Sequence, residues 1–338
     1  MEMKLDYNDV LINPKPGAKS LTRKMIDIAI DLNGDRITPI VIANMLSLGT
    51  HKIANIMSTH GILTFLHKEF TAKQHIDLFT TLKKPKRVGI TSGVQTWDKE
   101  KTIEVCNQVD YGFINVDIAN VYANVSGMID TIKLYKDKFP DKIIVAGNIC
   151  NTLVLDDLVN AGADIIKVGV GPGAACKTRS EIGVGIPQLS AVQEVATAAK
   201  ELGVKTIADG GCVTSGDVCK ALGAGADIVM IAGMVSASIE CDNVIDVDGK
   251  KYVNLFGLGS NKQYELTKPT EQEYRPNEGR NLLVPVKGSI TDVTNQIKGA
   301  LRSACTYVGV DNIADFSKNV EFVRVNNIIN NSLDKYEI

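Results

Sequence analysis

Eight short runs of aliphatic and β-branched residues recur along this 338-residue chain: Pro39–Ala43, Gly61–Leu66, Arg87–Ile90, Phe113–Asp117, Ile143–Ala146, Asp164–Val168, Thr206–Asp209 and Asp227–Ile231. Apolar runs of this length suit strands buried on both faces, as in parallel sheets. Segments with helical spacing separate most of them, at 50–59, 99–108, 125–138, 153–160, 188–202 and 216–222. One phrase even occurs twice: Asn160-Ala-Gly-Ala-Asp-Ile-Ile166 and Gly223-Ala-Gly-Ala-Asp-Ile-Val229 both read as helix end, glycine turn, strand. The alternation predicts an α/β fold, a (β/α)8 TIM barrel. A doubly wound open sheet is the competing architecture. Its weakness is that Gly169-x-Gly171-x-Gly173 lacks the GxGxxG spacing of a dinucleotide loop and opens onto no immediate helix.

After the eighth strand the pattern breaks. Residues from about 240 to 287 are polar and irregular, with a hairpin signal at Asp246–Tyr252 and a charged stretch at 261–281 that suits a mobile active-site flap. Ile290–Val308 regains helical spacing and reads as a C-terminal helical extension. The expected organisation is a single barrel domain over 1–338 with the flap inside it.

Barrel chemistry sits on the loops after the strands. That rule collects His67 and Lys68 after strand two, Ser92 and Gly93 after strand three, and Asp117 and Asn120 after strand four. It adds Gly147 and Asn148 after strand five, the glycine-rich loop after strand six, Asp209-Gly210-Gly211 after strand seven, and Ala232-Gly233 after strand eight. Glycines after strands seven and eight match the usual phosphate site of such barrels, so a phosphorylated small molecule is the expected ligand.

The sharpest signal is Lys167-Val-Gly-Val-Gly-Pro-Gly-Ala-Ala-Cys-Lys-Thr-Arg179. A lone cysteine is ordinarily a small core residue, and Cys106, Cys150, Cys212, Cys219 and Cys241 read that way. Cys176 does not, because it follows Gly-Pro-Gly on the loop after a strand and has Thr178 two residues on. It is a candidate nucleophile, with either the loop dipoles or Arg179 available to favour its thiolate. Read locally, Asp209 could cap a turn, Lys68 could be a surface cation and Glu278 one more solvated carboxylate.

Composition narrows the classes. A net charge of −2 gives no electrostatic case for nucleic acid or membrane surfaces. No apolar run approaches the ~18 residues a bilayer span needs. Seven cysteines without CxxC spacing, and no apolar leader, suggest reduced thiols and a cytoplasmic location. The four histidines, all within 51–75, have no metal spacing and read as unrelated side chains.

Taken together, Gly171–Arg179, Gly183-Val-Gly-Ile-Pro-Gln-Leu-Ser190, Ala208-Asp-Gly-Gly211 and Arg302-Ser-Ala-Cys-Thr-Tyr-Val-Gly309 resemble the IMP dehydrogenase / GMP reductase family, from Leu5-Asp-Tyr-Asn-Asp-Val10 to Phe322-Val-Arg-Val325. The family fold is a (β/α)8 barrel. One branch oxidises IMP with NAD; the other converts GMP to IMP and ammonia with NADPH. Three features favour the reductase branch. About twenty residues separate Lys68 from strand three, leaving no room for the regulatory insertion usual in dehydrogenases. Tyr274-Arg-Pro-Asn-Glu-Gly279 carries Glu278 where dehydrogenases commonly have Gln, and the 299–309 segment looks like the reductase version. A dehydrogenase lacking the insertion, or a non-catalytic barrel that senses purine nucleotides, are the alternatives.

The resemblance implies roles position by position. Cys176 would be the nucleophile, with Thr178 and Glu278 as proton relay. Asp209 would bind ribose. Gly210, Gly211, Ala232 and Gly233 would surround the phosphate, and Gly257, Leu258, Gly259, Arg275 and Gly279 would contact the nucleotide. Lys68, Asp117, Ile118, Ala119, Val170, Gly171, Leu258, Tyr274, Arg275, Ser303, Ala304, Cys305 and Thr306 would contact NADPH. The carbonyls of Gly171, Gly173, Cys176 and Arg179 would hold a monovalent cation, potassium by expectation. A homotetramer is also implied. The chain departs from the family pattern at Leu46, Val121, Lys177, Ala232 and at Gly259, where a hydroxyl is expected.

Overall fold

Alternation within each apolar run decides which side chains face inward. In the computed structural model, which describes residues 2–17, 21–257, 259–261, 265 and 276–326, all eight expected strands form. They are β1 (Ile40–Ile42), β2 (Leu63–Phe65), β3 (Val88–Ser92), β4 (Phe113–Asp117), β5 (Ile143–Ile149), β6 (Ile165–Val168), β7 (Lys205–Asp209) and β8 (Ile228–Ile231). Neighbours pair in parallel, and β8 pairs back onto β1 to close the barrel. Val41, Phe65, Phe113, Val145, Ile165, Ile207 and Met230 fill the interior as one buried cluster. Residues of the other parity, such as Ile42, Ile90, Ile114, Ile166 and Val229, face outward into the helix layer. The barrel is thus packed on both faces of its sheet, as the continuous apolar runs demanded.

The repeated phrase has one structural job, done twice. Gly162 and Gly225 each turn the chain at φ 108°. The following aspartate then caps the neighbouring strand: Asp164 Oδ2 accepts from Ile144 N at 2.7 Å, and Asp227 Oδ2 accepts from Thr206 N at 2.8 Å. Each carboxylate satisfies a strand N–H at the barrel rim that would otherwise lack a partner.

Helices α1 (His51–Thr59), α2 (Ala72–Phe79), α3 (Thr96–Gln108), α4 (Val125–Lys138), α5 (Leu155–Asn160), α6 (Gln188–Glu201) and α7 (Ser215–Gly223) surround the barrel. The periodicity reading omitted α2. Its signal is a capping box: Thr71 Oγ1 accepts from Gln74 N, and Gln74 Oε1 accepts from Thr71 N. The final helix α8 (Ile290–Val308) has the expected bounds. It packs on α7 and on the turn after β8, and Lys298 on it reaches the His60 carbonyl at the end of α1. It therefore takes the eighth helix position, which the chain reaches only after a detour.

Within that detour the described residues form a three-stranded antiparallel sheet, while most of the 261–281 stretch expected to be a mobile flap lies outside the described residues. The expected hairpin joins β9 (Val244–Val247) to β10 (Lys250–Phe256) across Asp248-Gly249, both at positive φ. A third strand, β11 (Asn281–Pro285), pairs with β10 so that Asn281 faces Phe256. This pairing brings the chain back beside residue 257 at the barrel mouth. A second hairpin, Ile30–Leu32 with Asp35–Ile37, turns on Asn33-Gly34 and puts Leu32 and Ile37 into the interior cluster, closing that end of the barrel. Val10–Ile12 pairs with Phe322–Arg324, joining sequence-distant ends of the fold. Among the described residues no helix is long and apolar enough to cross a membrane.

Candidate active site

The loop leaving β6 lies across the ends of β7 and β8. At Gly169 (φ 151°) a Cβ would stand 2.1 Å from the Asp209 carbonyl oxygen, so only glycine permits this approach. Further along, Gly173 lies against Gly210, Ala174 against Gly233, and the Ala175 carbonyl against Gly257. The loop therefore gathers Asp209, Gly210, Gly211, Ala232 and Gly233 around itself. It ends in a tight turn, with Cys176 N donating to Gly173 O at 2.9 Å, and runs into the helical turn Thr178–Glu181.

A second segment completes the site. Residues 278–280 run antiparallel to 175–177: Lys177 N donates to Glu278 O (2.6 Å), Arg280 N to Ala175 O (2.9 Å), and Cys176 is bridged to Gly279. That register places Glu278 beside a residue one hundred positions earlier. Thr178 Oγ1 donates to Glu278 Oε2 at 2.6 Å and lies 3.1 Å from Cys176 Sγ. A threonine hydroxyl has one hydrogen, and the carboxylate takes it. The thiol is then the donor toward Thr178 Oγ1, giving a continuous chain from S–H through O–H to carboxylate. Such a chain can carry the thiol proton to Glu278 and return it. Glu278 is thus not the solvated carboxylate its local sequence suggests. Gly259 stands next to it, and a Cβ at 259 would lie 3.2 Å from Glu278 Cβ.

Arg179 has other work. Its guanidinium pairs with Asp6 at 2.8 Å and donates to the Ile186 carbonyl at 2.5 Å, while Asp6 also accepts from Gln188 N. The side chain ties the loop to the N-terminal segment, so of the two proposed activators of the thiol, Arg179 drops out.

Burial raises the other six thiols. It pushes Cys106 and Cys241 up to about 11 and Cys219 and Cys305 to about 12, and it raises Cys150 and Cys212 as well. Iodoacetamide at mildly alkaline pH is therefore expected to alkylate Cys176 first, as read by peptide mapping over a time course. Earlier labelling at Cys106 or Cys212 would contradict this.

Across the mouth, Asp117 at the end of β4 and Asp209 at the end of β7 share one buried cation. Lys167 Nζ lies 2.6 Å from Asp117 Oδ2 and 3.3 Å from Asp209 Oδ2. Burial alone would raise the Asp117 carboxyl, but the Lys167 ammonium outweighs it and the net shift is downward; Lys167 itself is raised by the two carboxylates against its own burial. Asn44 donates to Asp117 (3.0 Å) and Asn148 to Asp209 (2.7 Å). Removing one partner of such a buried pair costs about 3–5 kcal/mol. Lys68 adds positive potential near Asp117. Ile118 N donates to Gly147 O, and Ala119 follows, so Lys68, Asp117, Ile118 and Ala119 gather at one side of the mouth, with Val170 and Gly171 on the loop. The sequence reading did not single out Lys167 or Asn44. A lysine at an inward position of a buried strand was the available signal.

Other expected residues lie elsewhere. Ser303, Ala304, Cys305 and Thr306 sit on α8 beside α7 and the 23–25 turn; Ser303 Oγ accepts from Arg23 Nε at 2.7 Å and the Cys305 side chain is fully buried. They are not brought to this mouth. Leu258, Tyr274 and Arg275 lie outside the described residues. Ser92 is buried against Tyr135 Oη (2.6 Å), and His67 stacks on Phe70. Three of the four histidines are not unrelated after all: His51 and His75 both meet Tyr111 Oη, and with His67 all three surround Phe70. Among the described residues no group of His, Cys, Asp or Glu is arranged to hold a metal ion. Of the departures, Val121 fills the core and the Ala232 methyl packs on buried apolar side chains; nothing in the structure explains Leu46.

The chain is similar along its length to known proteins. The model of the IMP dehydrogenase / GMP reductase domain matches residues 4–331. The chain is 39% identical to GMP reductase 1 of Homo sapiens, covering 96% of each chain. It is 35% identical to a GMP reductase of Ascaris suum, covering all of this chain and 97% of the relative. With one of Aliivibrio fischeri it shares 36%, over 99% and 98%. A barrel whose thiol loop is bridged to residues 278–280, matched along its full length by these relatives, belongs to the IMP dehydrogenase / GMP reductase family.

Proposed function

We propose that this chain is a GMP reductase, converting GMP to IMP and ammonia with NADPH through a covalent Cys176 intermediate. The observation that carries the reading is the hydrogen-bonded chain Cys176–Thr178–Glu278, with an ionisable glutamate rather than an amide at its end. As the thiol proton passes through Thr178 to Glu278, the sulfur adds to C2 of the guanine. Glu278 returns that proton, again through Thr178, to the departing amine. The C2–N bond breaks, ammonia leaves, and a thioimidate joins Cys176 Sγ to C2. One difficult substitution becomes two easier steps. NADPH, when bound, supplies the hydride for C2. The C–S bond then breaks, IMP leaves, and the thiolate is reprotonated from solvent.

The remaining residues orient the two nucleotides. Asp209 would accept from the GMP ribose hydroxyls, and the backbone at Gly210, Gly211, Ala232 and Gly233 would hold its phosphate, with Gly257, Gly259 and Gly279 nearby. Leu258, Tyr274 and Arg275 are assigned nucleotide contacts by family resemblance alone. An ionised Asp117 with Lys68 nearby fits the sugar and phosphates of NADPH, with Ile118, Ala119, Val170 and Gly171 lining the approach. The loop carbonyls of Gly171, Gly173, Cys176 and Arg179 would supply the oxygen ligands for potassium, a donor type that suits a hard cation. A cytoplasmic homotetramer completes the proposal.

Crossing GMP and IMP with NADPH and NAD, while following reduced nicotinamide by absorbance, tests the reading. GMP should consume NADPH and release ammonia. NADH formed from IMP and NAD would assign the other branch, and stabilisation by GMP without turnover would assign a nucleotide-binding barrel.

The bridge between segments makes its own prediction. A Cβ at Gly279 would lie 2.5 Å from Ser260 N and 2.7 Å from its Cα, both backbone atoms. Relief must shift the 278–280 segment, at about 1–3 kcal/mol. Gly279→Ala is expected to lower kcat more than about tenfold while the melting temperature moves only about 2–4 °C, since the barrel core is untouched. Unchanged kcat would contradict the placement of Glu278.

A further inference from the structure

Lys167 stands at an inward position of β6, with only 1% of its side chain exposed. Among the described residues, every side-chain hydrogen bond to the two aspartates falls on one oxygen of each. Asp117 Oδ2 accepts from Lys167 and Asn44; Asp209 Oδ2 accepts from Lys167 and Asn148, whose amide also donates to the Gly169 carbonyl at 2.8 Å. Among the described residues, neither Oδ1 receives a side-chain hydrogen bond. Both carboxylates nevertheless reach solvent at the mouth, with side chains 15% and 23% exposed. Each aspartate is thus gripped from below and open above.

We propose that Lys167 is a positioning residue that couples the two nucleotide subsites. By holding Oδ2 of both carboxylates it keeps them turned so that each Oδ1 is presented to a ligand diol, one on GMP and one on the dinucleotide. This inference rests on the function proposed above, which gives Asp209 to one nucleotide and Asp117 to the other. A single ammonium between them also means that neither carboxylate can move without changing the field at its neighbour. Without the cation, two like charges would face each other at the mouth, and the arrangement would relax by one of them swinging away or taking up a proton.

The test is steady-state kinetics on wild type, Lys167→Met, Asp117→Asn and the double variant. Lys167→Met is expected to raise KM for GMP and for NADPH together, each about tenfold or more, with a smaller loss in kcat. The double variant discriminates. Removing the Asp117 charge relieves the repulsion on Asp209, so KM for GMP should fall back to within about threefold of wild type while KM for NADPH stays high. A merely structural lysine would leave the double variant no better than Lys167→Met on either substrate. That result, or Michaelis constants unchanged in Lys167→Met, overturns the proposal. If Lys167→Met does not fold, Lys167→Gln takes its place with the same expectations, because it can still donate to both carboxylates without the charge. Wild-type protein that fails to consume NADPH with GMP contradicts the function reading instead; calorimetric titration of GMP into the same four proteins then decides on Lys167 alone.

Discussion

Cys176→Ser is expected to bind GMP at close to wild-type affinity and to lose turnover by about four orders of magnitude or more. The reasoning starts from the bond that must form. A serine hydroxyl holds its proton far more tightly than a thiol, and the receiving group here is a carboxylate reached through Thr178, 2.6 Å from it. Such a carboxylate can draw a proton from a thiol held near it but is too weak a base for an alcohol. The substitution barely changes shape, and the loop is fixed by backbone bonds from Cys176 to Gly173 and from Lys177 to Glu278. Binding should therefore survive. Calorimetry with GMP alongside NADPH consumption checks both halves, and turnover near the wild-type rate would rule out covalent catalysis by this sulfur.

Glu278→Gln is expected to slow turnover by about 10²- to 10⁴-fold, the usual contribution of a positioned acid–base group. Glutamine can still accept from Thr178 through its carbonyl oxygen, so the geometry persists while the capacity to store a proton is gone. The loss should fall on deamination, where an amine must be protonated to leave. Hydride transfer needs no such proton, since the sulfur departs as an anion. NADPH deuterated at its transferring position separates the two. A deuterium effect on wild-type turnover should vanish in the variant, because deamination becomes the slow step. An effect that persists or grows would show that Glu278 serves hydride transfer as much as deamination, and the relay would be wrong.

Much of this architecture was legible in the chain because local pattern and global fold agree. Eight buried strands advertise themselves as β-branched runs, and α4 and α8 have the bounds their periodicity predicts. The elements that went unread are held by other means. Helix α2 is announced only by Thr71 and Gln74, and the lower hairpin only by Asn33-Gly34, both signals too short to register as periodicity. Strand β11 exists because β10 offers it an edge, a partner thirty residues earlier that no local window contains. The site divides in the same way. Cys176 and Thr178 are two residues apart and readable from their loop. Glu278 joins them only through long-range pairing, and only family resemblance pointed to it. Lys167 went unrecognised because its meaning depends on Asp117 and Asp209, which the barrel brings to it from strands four and seven. Arg179 looked like an activator in sequence because nothing there reveals that Asp6 claims it.

The central claim is that Cys176 becomes bonded to C2 of the purine. Intact-mass and peptide mass spectrometry on protein quenched with GMP in the absence of NADPH tests it most directly. The account predicts an adduct of the mass of GMP less ammonia, located on the peptide containing Cys176 and absent from Cys176→Ser. Active protein that carries no such adduct under these conditions, or carries it on another residue, would contradict the mechanism.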